Sequence, residues 1–276
     1  MQNELSNTVN RRVSEGELDV PLLPGVLVDI MALVDDPDAD VRRLADLVHR
    51  DPGLAAHVLR VANSPVFSAR GGVVSLQQAV SRLGFRLLGE IAMSAVVTRS
   101  VFKDQAGCPQ IEDLRRDSLA TGVWAREIAR QRRVSVESAF LCGLLQRIGA
   151  PVALAEAVRS ARAMEMEVST EVLDRVMLEV EADVGLKVAE AWRLPSAVRA
   201  CIAHRSDPLA AREHRHEVLV SGLAALLVPL TFDADADEDA VLSDPVVQAL
   251  SLYPEDVEDL LDRRDAVVET LQAMCR

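Results

Sequence analysis

The chain has 276 residues, enough for a sizeable core, and 49% of them are apolar, which excludes disorder of the whole. Only 3% are aromatic while Ala, Leu and Val dominate, a composition suited to close helix–helix packing rather than a β-sandwich. The net charge of −13 is uneven: residues 231–276 hold 13 acids against three bases, a balance of −10, so the other 230 residues carry only −3. An acidic end of this kind repels phosphate backbones, argues against tight non-specific nucleic-acid binding, and reads as a solvated face.

Residues 1–19 are polar and lack the apolar stretch of a secretory signal, so they read as a flexible N-terminal segment. Helical periodicity then runs nearly to the end. Val26, Ile30, Leu33 and Val34 recur at helical spacing, as do Val41, Leu44, Leu47 and Val48. Asp51-Pro52 is a helix start, with Asp as cap and Pro at the first position; the helix should stop near Asn63-Ser64-Pro65. Ser75-Leu76-Gln77-Gln78 reads as a capping box in which Gln78 reaches back to the Ser75 amide, and Gly84 is the stop. A second helix follows through Leu87, Leu88, Ile91 and Ala95.

Gly107-Cys108-Pro109 breaks the pattern and marks a lobe boundary, separating an N-lobe at 20–106 from a second lobe at 107–215. Helices are expected at 112–131, 135–148, 151–164, 170–180, 183–192 and 195–204. The stretch 216–276 forms an acidic C-terminal helical extension. It contains a helix near 216–230, an acidic loop at 231–245 and final helices interrupted at Tyr253-Pro254. Its uncharged run Val218–Phe232 is 15 residues, short of the roughly 20 that a membrane span needs, and reads as a buried core helix. No alternating strand of useful length occurs, so the fold class is all-α.

The cysteines at 108, 142, 201 and 275 contain no CxxC pair, which excludes a zinc knuckle, and read as reduced, mostly packed thiols. No GxSxG, Walker A or GxGxxG stretch is present. Asp233-Ala234-Asp235-Ala236-Asp237 starts like a calcium loop but has Glu238 where the turn needs Gly. Arg115, Arg116, Arg126, Arg130, Arg132 and Arg133 form a basic cluster without interleaved aromatics, which reads as solvated helix surface.

Several motifs, in order, carry a family resemblance. Arg50-Asp51-Pro52-Gly53-Leu54, Leu59-Arg60-Val61-Ala62-Asn63-Ser64 and Ser75-Leu76-Gln77-Gln78-Ala79-Val80 with Arg82-Leu83-Gly84 resemble the first half of the HDOD domain. Gly143-Leu144-Leu145-Gln146-Arg147-Ile148-Gly149 is similar to the stretch descended from the HD motif. Leu194-Pro195, Ile202-Ala203-His204 and Asp207-Pro208 resemble the segment after it. The resemblance spans about residues 20–215. It implies two packed helical lobes, the second a degenerate HD-type bundle, in a bacterial signal-output domain related to HD metal phosphohydrolases.

In those hydrolases a His, a His-Asp doublet and a further Asp hold a metal that activates water. The resemblance places the first His at Asp117 and the doublet at Gln146-Arg147. Gln is a poor donor, and Arg147 puts a permanent cation with no acceptor where a metal should sit. The expectation is therefore no catalytic residue, no metal and no cofactor. Gln146-Arg147 reads either as a helix end stopped by Gly149 or as a vestigial pocket with Asp117 and His204, where Arg147 pairs with Asp117 or meets an anion. With 276 residues nearly filled by this domain and its tail, no receiver or cyclase domain is expected. The implied function is that of a non-catalytic, cytoplasmic adaptor binding signalling proteins through helical surfaces. The alternatives are a metal-free receptor for a nucleotide or cyclic dinucleotide, and a phosphohydrolase with a rearranged site.

Overall fold

The computed structural model describes residues 2–34, 36, 40–67, 72–102, 109–233 and 235–275. Among these every regular element is helical, as the periodicity requires. The expected boundary at Gly107-Cys108 lies outside the described residues; the next helix begins at Pro109.

The N-lobe is built from α2 (Gly25–Val34), α3 (Val41–His49), α4 (Pro52–Ala62), α5 (Leu76–Leu83) and α6 (Phe85–Val101). Its starts are set by short polar side chains. Asp51 Oδ1 accepts from the Leu54 amide at 3.0 Å, with Pro52 at the first helical position. Ser75 Oγ accepts from the Gln78 amide at 3.2 Å, but Gln78 Oε1 accepts from Val74 rather than from Ser75, so the box closes one residue further out than its spacing predicts. Gly84 turns α5 into α6 at φ +80, a backbone conformation that suits Gly.

The second lobe comprises α7 (Pro109–Arg132), α8 (Val136–Leu145), α9 (Gly149–Ala163), α10 (Thr170–Ala191) and α11 (Ser196–Ala203). The stretch expected to hold two helices, 170–180 and 183–192, is the single helix α10, because Glu181 and Asp183 do not break its apolar stripe of Val176, Val180, Val184 and Val188. The helix expected to run from Ser135 to Ile148 stops at Leu145, and Gly149 opens α9 instead of stopping α8. Helix α12 (Arg215–Phe232) packs against α7 and α8 and buries Leu219, Leu223 and Leu227. It is therefore part of the second lobe's core rather than an extension. Its last turn is pinned by the Trp124 indole N–H, which donates to Thr231 Oγ1 at 2.7 Å. Helices α13 (Glu238–Leu242), α14 (Pro245–Ala249), α15 (Pro254–Leu261) and α16 (Arg264–Cys275) follow. Thus α13 occupies part of the expected acidic loop, and α16 returns to pack on α7.

The N-terminal segment departs furthest from expectation. Residues Gln2–Glu15 form α1, which lies on α9 and α10. Leu5, Val9 and Val13 recur every fourth residue and are fully or almost fully buried. This narrow stripe is hidden by the polarity of the rest of the segment. Arg12 Nε donates to buried Glu156 at 2.6 Å. The Trp192 indole, at the end of α10, donates to the Pro21 carbonyl at 2.7 Å and ties down the lead into the N-lobe.

Across the two lobes α6 packs on α8 and is tied to α7 by an ion pair, and the basic cluster of α7 is partly inside this seam rather than in solvent. Arg126 is buried and donates to buried Glu90 of α6 at 3.1 Å and to Glu127 at 3.0 Å. Glu127 also accepts from Arg130 at 2.7 Å and from Arg263, just before α16, at 3.1 Å.

Candidate functional site: a carboxylate held by two guanidiniums

Two glycines bring the segment that resembles the HD motif onto its neighbours. At Gly143 a Cβ would sit 2.6 Å from the Thr121 carbonyl of α7. At Gly149 it would collide with the Glu181 carbonyl and the Gly185 backbone of α10. The turn 146–148 is thereby held between α7 and α10.

On this turn Gln146 is buried, and its amide nitrogen donates to the Ser221 carbonyl of α12 at 3.4 Å. Arg147 donates through Nε and Nη2 to Glu181 Oε2 at 3.2 and 2.9 Å. Arg205, just past α11, donates through Nη2 to the other oxygen, Glu181 Oε1. A buried carboxylate is therefore clamped by two partly buried guanidiniums, an arrangement that satisfies its lone pairs at both ends. Burial pulls the Arg147 pKa below its ordinary value, and burial plus the like charge of Arg147 pulls Arg205 down to about 10.

Asp117 faces the same region without joining the clamp. Its Oδ1 accepts from Arg116 at 3.2 and 3.3 Å. Burial raises its carboxyl pKa, opposed by the charges of Arg116 and Arg147. The pairing anticipated between Asp117 and Arg147 is replaced by two others, Arg147–Glu181 and Asp117–Arg116. His204 caps α11 through its backbone N–H and is half-buried; the side chain that enters the clamp from this segment belongs to its neighbour Arg205. Three of the four anticipated residues, Asp117, Gln146 and Arg147, thus border one region, while Glu181 and Arg205 were missed. The signal for Glu181 was an acid lying on the apolar stripe of α10 between Val180 and Val184. Arg205 left no such mark.

The donor set does not fit a divalent cation. A metal needs neutral or anionic donors, whereas this position presents an amide nitrogen engaged with a carbonyl and two cations engaged with a carboxylate. Among the described residues no group of three or more His, Cys, Asp or Glu side chains comes together. Cys142 and Cys201, far apart in sequence, are buried side by side, and the thiol–thiol contact together with burial raises the Cys142 pKa.

Comparisons with known proteins agree with this architecture. The HDOD domain family matches residues 20–208. An uncharacterized protein of Treponema pallidum (strain Nichols) is 27% identical over 206 residues, 71% of this chain, and the chain spans 40% of that relative's length. A crystal structure of an HDOD domain protein of unknown function from Geobacter sulfurreducens superposes with a TM-score of 0.76 at 22% identity, covering 98% of this chain and 97% of its own. A candidate signal transduction protein from Marinobacter aquaeolei VT8 gives 0.71 at 25% identity over 100% of this chain and 66% of that one. A candidate metal-dependent phosphohydrolase from Shewanella amazonensis SB2B gives 0.71 at 18% identity, covering 99% of this chain and 97% of that chain, and shares the fold.

Proposed function

This chain belongs to the HDOD family, and we propose that it is a metal-free, non-catalytic module that transmits a signal by contact with other proteins in the cytoplasm. A role in signal transduction is supported by the family and by the likeness to the Marinobacter protein. The observation that carries the non-catalytic reading is the clamp itself. Arg147 and Arg205 spend their charge on Glu181 at the position where the HD resemblance puts a metal. A cation there would have to displace one guanidinium and leave it partly buried and unpaired, at a cost below the about 3–5 kcal/mol of a fully buried broken pair. Without a metal nothing at this turn lowers the pKa of a water to the neutral range.

The test is direct. Protein washed with chelator and re-exposed to Mn, Fe or Zn should hold far less than one metal per chain. It should also leave phosphodiester substrates intact. Stoichiometric metal, or turnover that scales with enzyme and disappears in Glu181→Gln, would end this reading. The alternative of a nucleotide received at Arg147 is weakened because the buried Glu181 lies between the two guanidiniums, where an incoming anion would meet its charge.

A further inference from the structure

A second site lies on the other side of α7. Asp117 and Arg115 are two residues apart on a helix and so point roughly oppositely. Arg115 and Leu119, four apart, share the face that looks away from the clamp. That face closes a cavity of about 280 Å³ whose other walls come from α4, α6 and α16. It is thus bordered by the N-lobe, the second lobe and the C-terminal helix at once.

The lining is divided by chemistry. Leu54, Ala95, Leu119 and Met274 make an apolar wall. Arg60, Arg99, Arg115 and His57 make a cationic and polar one. Arg99 donates two hydrogen bonds to Asp51, at 3.2 and 2.6 Å, and Arg115 donates two to Glu112, at 3.0 and 2.8 Å. Arg115 also meets the Cys275 side chain of α16. A guanidinium has five N–H donors, so these partners orient both groups without using all of their donors. Gly53 lies against the same edge: a Cβ there would come within 3.0 Å of Arg99 Nη1, so a side chain at this position would push the guanidinium aside. The first turn of α4, Gly53 and Leu54, faces the cavity and adds the positive end of a helix dipole. Finally, the buried Nε2 of His57 has no hydrogen-bond partner within the protein.

We propose that this junction cavity is a receptor site for a small phosphomonoester, whose dianionic group is held by Arg60, Arg99 and Arg115 and whose body lies on Leu54, Leu119 and Met274. Three guanidiniums lining one cavity from three helices suit a tetrahedral acceptor with several oxygens better than a single carboxylate. The volume falls just below the roughly 300–1,000 Å³ of pockets for larger ligands, so the body is compact. Because the cavity walls belong to three parts of the chain, occupancy fastens α4 and α6 to α7 and α16. The site stands apart from the clamp and does not rest on the metal-free reading.

The experiment uses the full chain in low-salt buffer near neutral pH, with inorganic phosphate, phenyl phosphate and phenol as probes, read by thermal denaturation and titration calorimetry. Both phosphates should bind and raise Tm, phenyl phosphate more strongly than phosphate, and phenol should not. At about ten times its dissociation constant a ligand should raise Tm by a few degrees, about 2–5. Arg99→Gln and Arg115→Gln should each weaken phenyl phosphate about tenfold or more. Gly53→Ala should weaken it as well, and Arg147→Gln should leave it unchanged. Arg99→Lys and Arg115→Lys keep the charge and serve if either Gln variant melts early. Neither phosphate moving Tm at about 10 mM, a concentration that saturates a site of 1 mM affinity, would overturn the proposal. So would binding that ignores Arg99 and Arg115 but is lost with Arg147.

Discussion

Glu90 and Arg126 are among the least exposed charged side chains of the protein, with 1% and 5% of their surfaces accessible. Burial raises the Glu90 pKa and the guanidinium opposes it. Such a pair contributes little net stability, yet removing one member leaves the other charge buried. Glu90→Ala should therefore lower the unfolding free energy by about 3–5 kcal/mol, measured by urea denaturation. A loss below about 1 kcal/mol, the scale of an exposed pair, would show that the seam admits water. His57 acts in the opposite sense. Burial first, then the charges of Arg60 and Arg99, lowers its pKa from 6.5 to about 4. The unfolded chain takes up this proton near pH 6.5 and the folded chain only near pH 4, so the imidazole costs stability progressively as pH falls through that window. With its partial exposure discounted, the loss is about 2 kcal/mol at most. The groups facing it are Arg60 on its own helix, Arg99 of α6 and Arg115 of α7. Asp51, whose pKa is lowered first by its hydrogen bond to Arg99, loses its contribution below its ordinary 3.8 and stays out of the window. His57→Gln should flatten the dependence of Tm on pH between 6.5 and 4; an unchanged slope would show that the imidazole protonates freely in the fold.

Elements differed in how much of them the sequence disclosed. The starts of α4 and α5 were legible because Asp51 and Ser75 each make a bond to the amide three residues on, and local chemistry is visible in local sequence. The acidic stretch after residue 231 was read only as a solvated face, yet several of its acids cap helices. Asp237 accepts from Ala240 at 3.1 Å, Asp244 from Val246 at 2.8 Å and Asp256 from Tyr253 at 2.8 Å. Helix α1 was missed because three buried side chains in fourteen residues do not stand out until α9 and α10 are in place to cover them. Its docking is open to test. Leu5→Ala removes a fully buried side chain and should cost about 2–4 kcal/mol. Unchanged stability would return the segment to the status of an appendage.

At the scale of the whole molecule, the two-lobed helical architecture followed from periodicity and motif order, while the contacts that unite the lobes did not. Gln146 and Arg147 marked the turn that resembles the HD motif, but their partners Ser221 and Glu181 come from helices 75 and 34 residues away. Glu90 and Arg126 are separated by 36 residues and the walls of the junction cavity by more than 200. Separations of that size are set by helix crossings, and the crossings depend on single glycines such as Gly143 and Gly149 that look ordinary in sequence. The two tryptophans sit at two such distant meetings, each buried and each with its N–H engaged: Trp124 inside the second lobe against Thr231, Trp192 where the lead into the N-lobe crosses the end of α10. The protein thus carries two tryptophan fluorophores in different compartments of the fold. With Trp192→Phe the remaining emission follows the interior of the second lobe, and with Trp124→Phe it follows the seam at Pro21, so the order in which the two regions loosen can be watched by colour and intensity without attaching any label.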